Sequence, residues 1–119
     1  MGYRSEVILA VGPEVMPQFM VTMAKSPEAR EMCWGDSEMV KDYCDIEGAF
    51  LFRWDGIKWY ESYEDIQTIE KFVQEASSDE YQFEIEGVIQ ASSEHIRFVR
   101  VGEETGDVEV QGDGFWDIY

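Results

Sequence analysis

The chain has 119 residues, with 26 acidic side chains against 9 basic ones and a formal charge of −17. A surface of that sign repels nucleic acid and anionic membranes, which excludes direct binding to either and points to basic proteins, cations or a locally held ligand. Yet 45% of residues are hydrophobic and 14% aromatic, too apolar for a disordered acidic tail and enough for one compact domain over 1–119.

The elements follow in chain order. Tyr3 to Val11 reads as a strand. Val7, Leu9 and Val11 share one face and Ile8 and Ala10 the other, the pattern of a central strand. Gly12-Pro13 ends it. Met16, Phe19, Met20 and Met23 recur at helical spacing, with Pro17 marking the start. Ser26-Pro27-Glu28 is a second helix start, with Ser as the cap. That short helix runs to about Cys33, and Gly35 stops it. Between Asp36 and Glu47, Met39, Val40 and Tyr43 fit a helical turn or a short strand.

Ala49 to Trp54 reads as a strand. Asp55-Gly56 is a two-residue hairpin signal, because a type I′ turn needs positive φ at both positions, and Ile57 to Tyr60 is the expected return. Ser62 to Asp65 resembles a capping box. Ile66, Ile69, Phe72, Val73 and Ala76 then predict an amphipathic helix of about 14 residues. Tyr81, Phe83 and Ile85 alternate with polar residues as a half-exposed strand. His95 to Val101 and Asp107 to Gln111 are two more strands. The expected fold class is α+β, two or three helices packed on a largely antiparallel sheet. The apolar ending Phe115 to Tyr119 predicts packing back on the domain or a contact surface, and with it a homodimer.

No catalytic motif or metal-ligand spacing emerges, so neither an enzyme nor a cofactor is expected. His95 is the only histidine and is expected on a strand face. Cys33 and Cys44 fit neither a zinc pair nor a redox motif; two buried free thiols in a reducing cytosol are expected, with a disulfide between them as the alternative. No apolar run approaches the roughly 20 residues of a membrane helix. Met1 to Glu6 lacks a signal-peptide pattern, so a cytoplasmic location is expected.

Two constellations remain. The first is acidic. Residues 1–60 hold 10 acids and 6 bases, while residues 61–119 hold 16 and 3. Glu84 and Glu86 are expected to point the same way along a strand, roughly 6.7 Å apart, and Asp107 and Glu109 to repeat that spacing. Glu61, Glu64, Glu70 and Glu75 are expected to crowd the outer side of one helix, and Glu103 and Glu104 a turn. Duplex DNA carries about one charge per 1.7 Å of axis, and fixed carboxylate rows can enter a groove built for it. The expected partner-binding face is Glu61, Glu64, Glu84, Glu86, Glu103, Glu104, Asp107 and Glu109. The second constellation is aromatic and basic. Trp54, Lys58, Trp59, Tyr60 and Arg100 form a ligand cluster if the rings are exposed, able to stack a base and hold a phosphate. They are core and ion-paired if not.

Three blocks resemble small uncharacterised proteins encoded by phages and prophages. These are Met1 to Ser5, Lys58-Trp59-Tyr60-Glu61-Ser62-Tyr63-Glu64-Asp65-Ile66-Gln67, and Arg97-Phe98-Val99-Arg100-Val101-Gly102-Glu103. Where many of those proteins have Pro, this chain has Glu64. The resemblance implies a viral accessory protein in the bacterial cytoplasm and carries over no catalytic residue. The expected function is therefore binding: an acidic, nucleic-acid-mimicking inhibitor of a host defence complex, such as a CRISPR complex or restriction enzyme. The alternative is a sponge for a nucleotide-like signal at the aromatic cluster.

Self-repulsion at −17 opposes folding and is screened by salt. Raising ionic strength from about 0.01 M to about 1 M shortens the screening length from about 30 Å to about 3 Å. The melting temperature is expected to rise across that series, and a flat profile by calorimetry would contradict the reading.

Overall fold

The computed structural model describes residues 2–78 and 82–115, with the backbone alone at 82–85 and 90. Strand β1 (Ser5–Val11) is central, as its two apolar faces require. On one edge it pairs with β3 (Phe50–Ile57), and β2 (Glu38–Lys41) adds outside that. On the other edge it pairs with β6 (Ile96–Val101), followed by β7 (Val108–Gln111). The sheet order is β2-β3-β1-β6-β7, and every pairing is antiparallel. A separate hairpin joins β4 (Gln82–Ile85) to β5 (Val88–Ala91).

Three helices complete an α+β fold: α1 (Met16–Ala24), α2 (Pro27–Glu31) and α3 (Glu64–Ser77). The hydrophobic core lies between them and one face of the sheet. From the sheet come Val7, Leu9, Val11, Phe52, Trp54, Ile96 and Phe98. From α3 come Ile66, Ile69, Phe72, Val73 and Ala76, all buried at the spacing the sequence shows. The Phe19 ring on α1 bridges the layers, with centroids 5.6 Å from Phe52 and 5.1 Å from Phe72. Burial of each such ring contributes about 1.5–3 kcal/mol. Ser26 caps α2 as expected, accepting the Ala29 N–H at 3.3 Å.

Several expectations need correction. Asp55-Gly56 is not a hairpin turn, and no strand returns over Ile57 to Tyr60. β3 runs straight through the pair to Ile57. The register against β1 slips there, since Ser5 faces Ile57 but Val7 faces Trp54. Gly56, at φ +66, accommodates the extra residue as a bulge. The hairpin lies elsewhere. Glu86 and Gly87, at φ 51 and 81, turn β4 into β5, with Ile85 opposite Val88. Glu86 is therefore a turn residue and does not extend a strand row from Glu84.

Residue Ser62 makes no cap. Tyr63 occupies the N-cap of α3 without a side-chain hydrogen bond. Gly35 does not stop α2; a π-helical turn, Met32–Asp36, carries the chain on past it. Region 36–47 is both things it could be, the edge strand β2 and then a 3-10 turn at Tyr43–Asp45. His95 closes a 3-10 turn, Ser92–His95, one residue before β6. Cys33 is buried and free, but Cys44 is free and exposed, inside the 3-10 turn Tyr43–Asp45 at φ 58. Phe115 packs near Tyr43, with ring centroids 6.0 Å apart; the expectation for Trp116 to Tyr119 lies outside the described residues.

A Cβ at Gly56 would meet only ordinary van der Waals contact, from Arg4 at 4.0 Å. Gly56→Ala therefore tests backbone strain alone. It is expected to cost about 1–2 kcal/mol in urea denaturation, and Gly56→Asn less, because Asn tolerates the left-handed region.

Candidate functional site

The two constellations converge at one end of the sheet, and the aromatic one changes character. Trp54 and Trp59 are core residues, 3% and 7% exposed. Their N–H groups face inward. Trp54 Nε1 donates to the Met32 carbonyl at 2.8 Å, and Trp59 Nε1 donates to Glu70 Oε1 at 2.7 Å. The Trp59 ring is wedged between Trp54 and Phe98, at 5.6 and 5.7 Å. Lys58 is exposed, and Tyr60 is half-buried beside Tyr63. The structure thus removes from solvent the two indoles that base stacking needs.

Arg100 is committed as well. The sheet register sets it opposite Val7 on β1 and Glu109 on β7. Its Nη2 donates to Asp107 Oδ1 at 2.8 Å, and Nη1 reaches Asp107 Oδ2 and Ser5 Oγ, each at 3.3 Å. Its Nε donates to Glu109 Oε1 at 3.4 Å. Tyr3 Oη donates to Asp107 Oδ2 at 2.5 Å and accepts the Glu104 N–H at 2.9 Å. Tyr3, Arg100, Asp107 and Glu109 form one network that ties the start of the chain to the β6–β7 turn. The β6–β7 turn is thus anchored by side chains rather than free in solvent.

Protonation follows from this geometry. Hydrogen bonds from Arg100 first, and then Tyr3, hold the Asp107 carboxyl down at about 2. The same bond to Asp107 raises the Tyr3 phenol and the Arg100 guanidinium. Glu70 shifts the other way. Burial raises its carboxyl, against the lowering effect of the Trp59 hydrogen bond, and the charges of Glu109 and Glu61 raise it further. Glu70 is therefore where the acidic start of α3 meets the acidic edge of β7.

Of the acidic face, Glu61, Glu64, Glu86, Glu103 and Glu104 are exposed. Asp107 and Glu109 are partly covered and held by Arg100. The Glu84 side chain lies outside the described residues. Tyr3 and Glu70 were missed as site residues; Glu70 is not on the outer side of α3 as expected but half-buried against Trp59, and its spacing left a trace of this. It occupies a position four after Ile66 and three before Val73, on the margin of the apolar stripe of α3. Among the described residues no group of three His, Cys, Asp or Glu side chains is placed to hold a metal ion. No described helix is long and apolar enough to cross a membrane. No protein-family model, curated protein or solved structure matches the chain.

The ordinary Asp value is 3.8, and Asp107 in the fold titrates near 2. A depressed carboxyl adds stability above its unfolded value and loses it as pH falls through the folded one. The Arg100–Asp107 contribution is thus full above about pH 4 and gone below about pH 2. Asp107→Asn is expected to lower stability at pH 7 and to flatten the acid limb of a melting-temperature profile over that window. An unchanged slope would show that Asp107 is not the group responsible.

Proposed function

We propose that this protein acts by binding: an acidic inhibitor of phage or prophage origin that occupies the Lys/Arg groove of a host nucleic-acid-directed complex. A CRISPR complex or a restriction enzyme in the bacterial cytoplasm is the kind of partner meant. The supporting observation is the junction at Glu70, half-buried and hydrogen-bonded to Trp59 Nε1 at 2.7 Å, whose carboxyl is raised first by burial and then by the nearby charges of Glu109 and Glu61. It brings two acidic segments that are far apart in the chain onto one surface.

That surface has a fixed geometry. Tyr3 and Arg100 hold the β6–β7 turn, Glu64 opens α3, and Gln67 Nε2 on α3 donates to the Glu61 carbonyl at 2.8 Å. The exposed carboxylates Glu61, Glu64, Glu103 and Glu104 are the working charges, with Asp107 and Glu109 as their support. Prealigned charge speeds encounter with a basic groove and costs little ordering on binding. The second reading, a nucleotide site at Trp54, Lys58, Trp59, Tyr60 and Arg100, draws no support, because its rings are core and its guanidinium is neutralised.

The test uses the tagged chain to capture partners from bacterial lysate, beside a variant carrying Glu61→Gln, Glu64→Gln, Glu103→Gln and Glu104→Gln. The wild type is expected to retain a nucleic-acid-binding protein at about 50 mM salt and to release most of it by about 200 mM, as ion-paired interfaces do. Added DNA should compete. The variant should fold and capture little. Equal capture by the two proteins at both salt concentrations would rule out mimicry.

A further inference from the structure

A groove of about 600 Å³ runs between α1 and α3, well away in sequence from the Arg100 network. Its volume falls in the range of about 300–1,000 Å³ typical of small-ligand sites. Pro17, Val21 and Phe72 supply apolar wall, and Lys25 and Lys71 supply charge. Val21 is 56% exposed, on the side of α1 turned away from the buried Phe19 and Met23.

The charge is out of character for this chain. Two of its 9 cations line one groove, against the single carboxylate of Glu75. Lys25 forms no ion pair among the described residues. Lys71 meets Glu75 only at 3.9 Å, with 79% of its side chain exposed, and a long exposed pair of this kind is easily exchanged for a better partner. A third observation concerns Gln18, which lines the same groove. Its Oε1 is buried with no hydrogen-bond partner among the described residues. Buried amide atoms are rarely left so, and rotation of this side chain into the groove would offer the amide to a bound molecule.

We propose that the α1–α3 groove binds a small amphipathic anion, an apolar body that carries a terminal carboxylate or phosphate. The apolar body lies along Pro17, Val21 and Phe72, and the anionic head sits between Lys25 and Lys71 within reach of the Gln18 amide. The site is separate from the acidic face and does not depend on its reading. Its salt response also differs. Long-range repulsion from the −17 body is what salt screens best, so modest salt should not weaken binding.

The experiment is a titration of the ¹⁵N-labelled chain with octanoate, octyl phosphate and neutral octyl glucoside, each below micelle-forming concentrations. Either anion, or both, is expected to shift amides within 17–26 and 68–75, and the comparison of the two shows which head group is preferred. Lys25→Gln with Lys71→Gln should weaken anion binding by about tenfold, the scale of two exposed charge contacts. That variant should melt with the wild type, because both lysines are exposed. Gln18→Leu should also weaken it while sparing the fold. Three results would overturn the proposal: equal binding of octyl glucoside, shifts confined to other segments, or full affinity in the double lysine variant.

Discussion

The burial of β1 is the constraint on which the rest of this fold depends. Val7, Leu9, Ala10 and Val11 are fully buried, and both edges of the strand are hydrogen-bonded. A seven-residue segment that apolar cannot be satisfied at the margin of a sheet. It draws β3 to one side and β6 to the other, and those two strands then carry Phe52, Trp54, Ile96 and Phe98 to the same face. A layer of helices covers these large side chains. α3 supplies most of that layer, and Phe19 on α1 closes it.

The same arrangement determines what the few cations can do. Arg100 continues the core-facing row of β6 beyond Phe98, to the place where the core gives way to solvent. A guanidinium there needs acceptors, and β7 delivers Glu109 by register and Asp107 by the turn. Trp59 meets the same boundary from the other side and finds Glu70. The acidic face is thus not a coat laid over a finished domain. Its inner members are the hydrogen-bond acceptors that let the polar edge of the core close, and its outer members stand on that frame.

Period-based reading recovered the elements with one dominant pattern. The stripe of α3, the two faces of β1 and the Ser26-Pro27 start each depend on neighbours a few residues away, and such local rules are visible in a single chain. Asp55-Gly56 and Glu86-Gly87 show where that legibility ends. Both pairs place glycine in left-handed backbone, and both suit a tight turn. The first became a bulge because β3 has β1 beside it over its whole length, and continuing the ladder beats folding back. The second became the hairpin because, among the described residues, β4 and β5 pair only with each other. Pair chemistry is local, but the choice between these outcomes is made by a strand some 50 residues distant. The indoles of Trp54 and Trp59 were ambiguous for a related reason. Their burial depends on α3 and on β6, neither of which their own segment specifies.

Among the described residues the five-stranded sheet ends in two edges, β2 and β7, with no further strand paired to them. Met39 and Val40 on the one and Val108 and Val110 on the other are exposed apolar side chains. Bare edges of this kind invite chain-to-chain strand addition and aggregation. Here β2 is only four residues long, with Glu38 and Lys41 at its ends, and β7 carries Glu109. Beyond these local guards, copies bearing −17 repel one another before their edges can align. The charge therefore also acts between copies of the chain, not only within one. That repulsion opposes edge-to-edge association near neutral pH, and it weakens toward the isoelectric point of about 4.1.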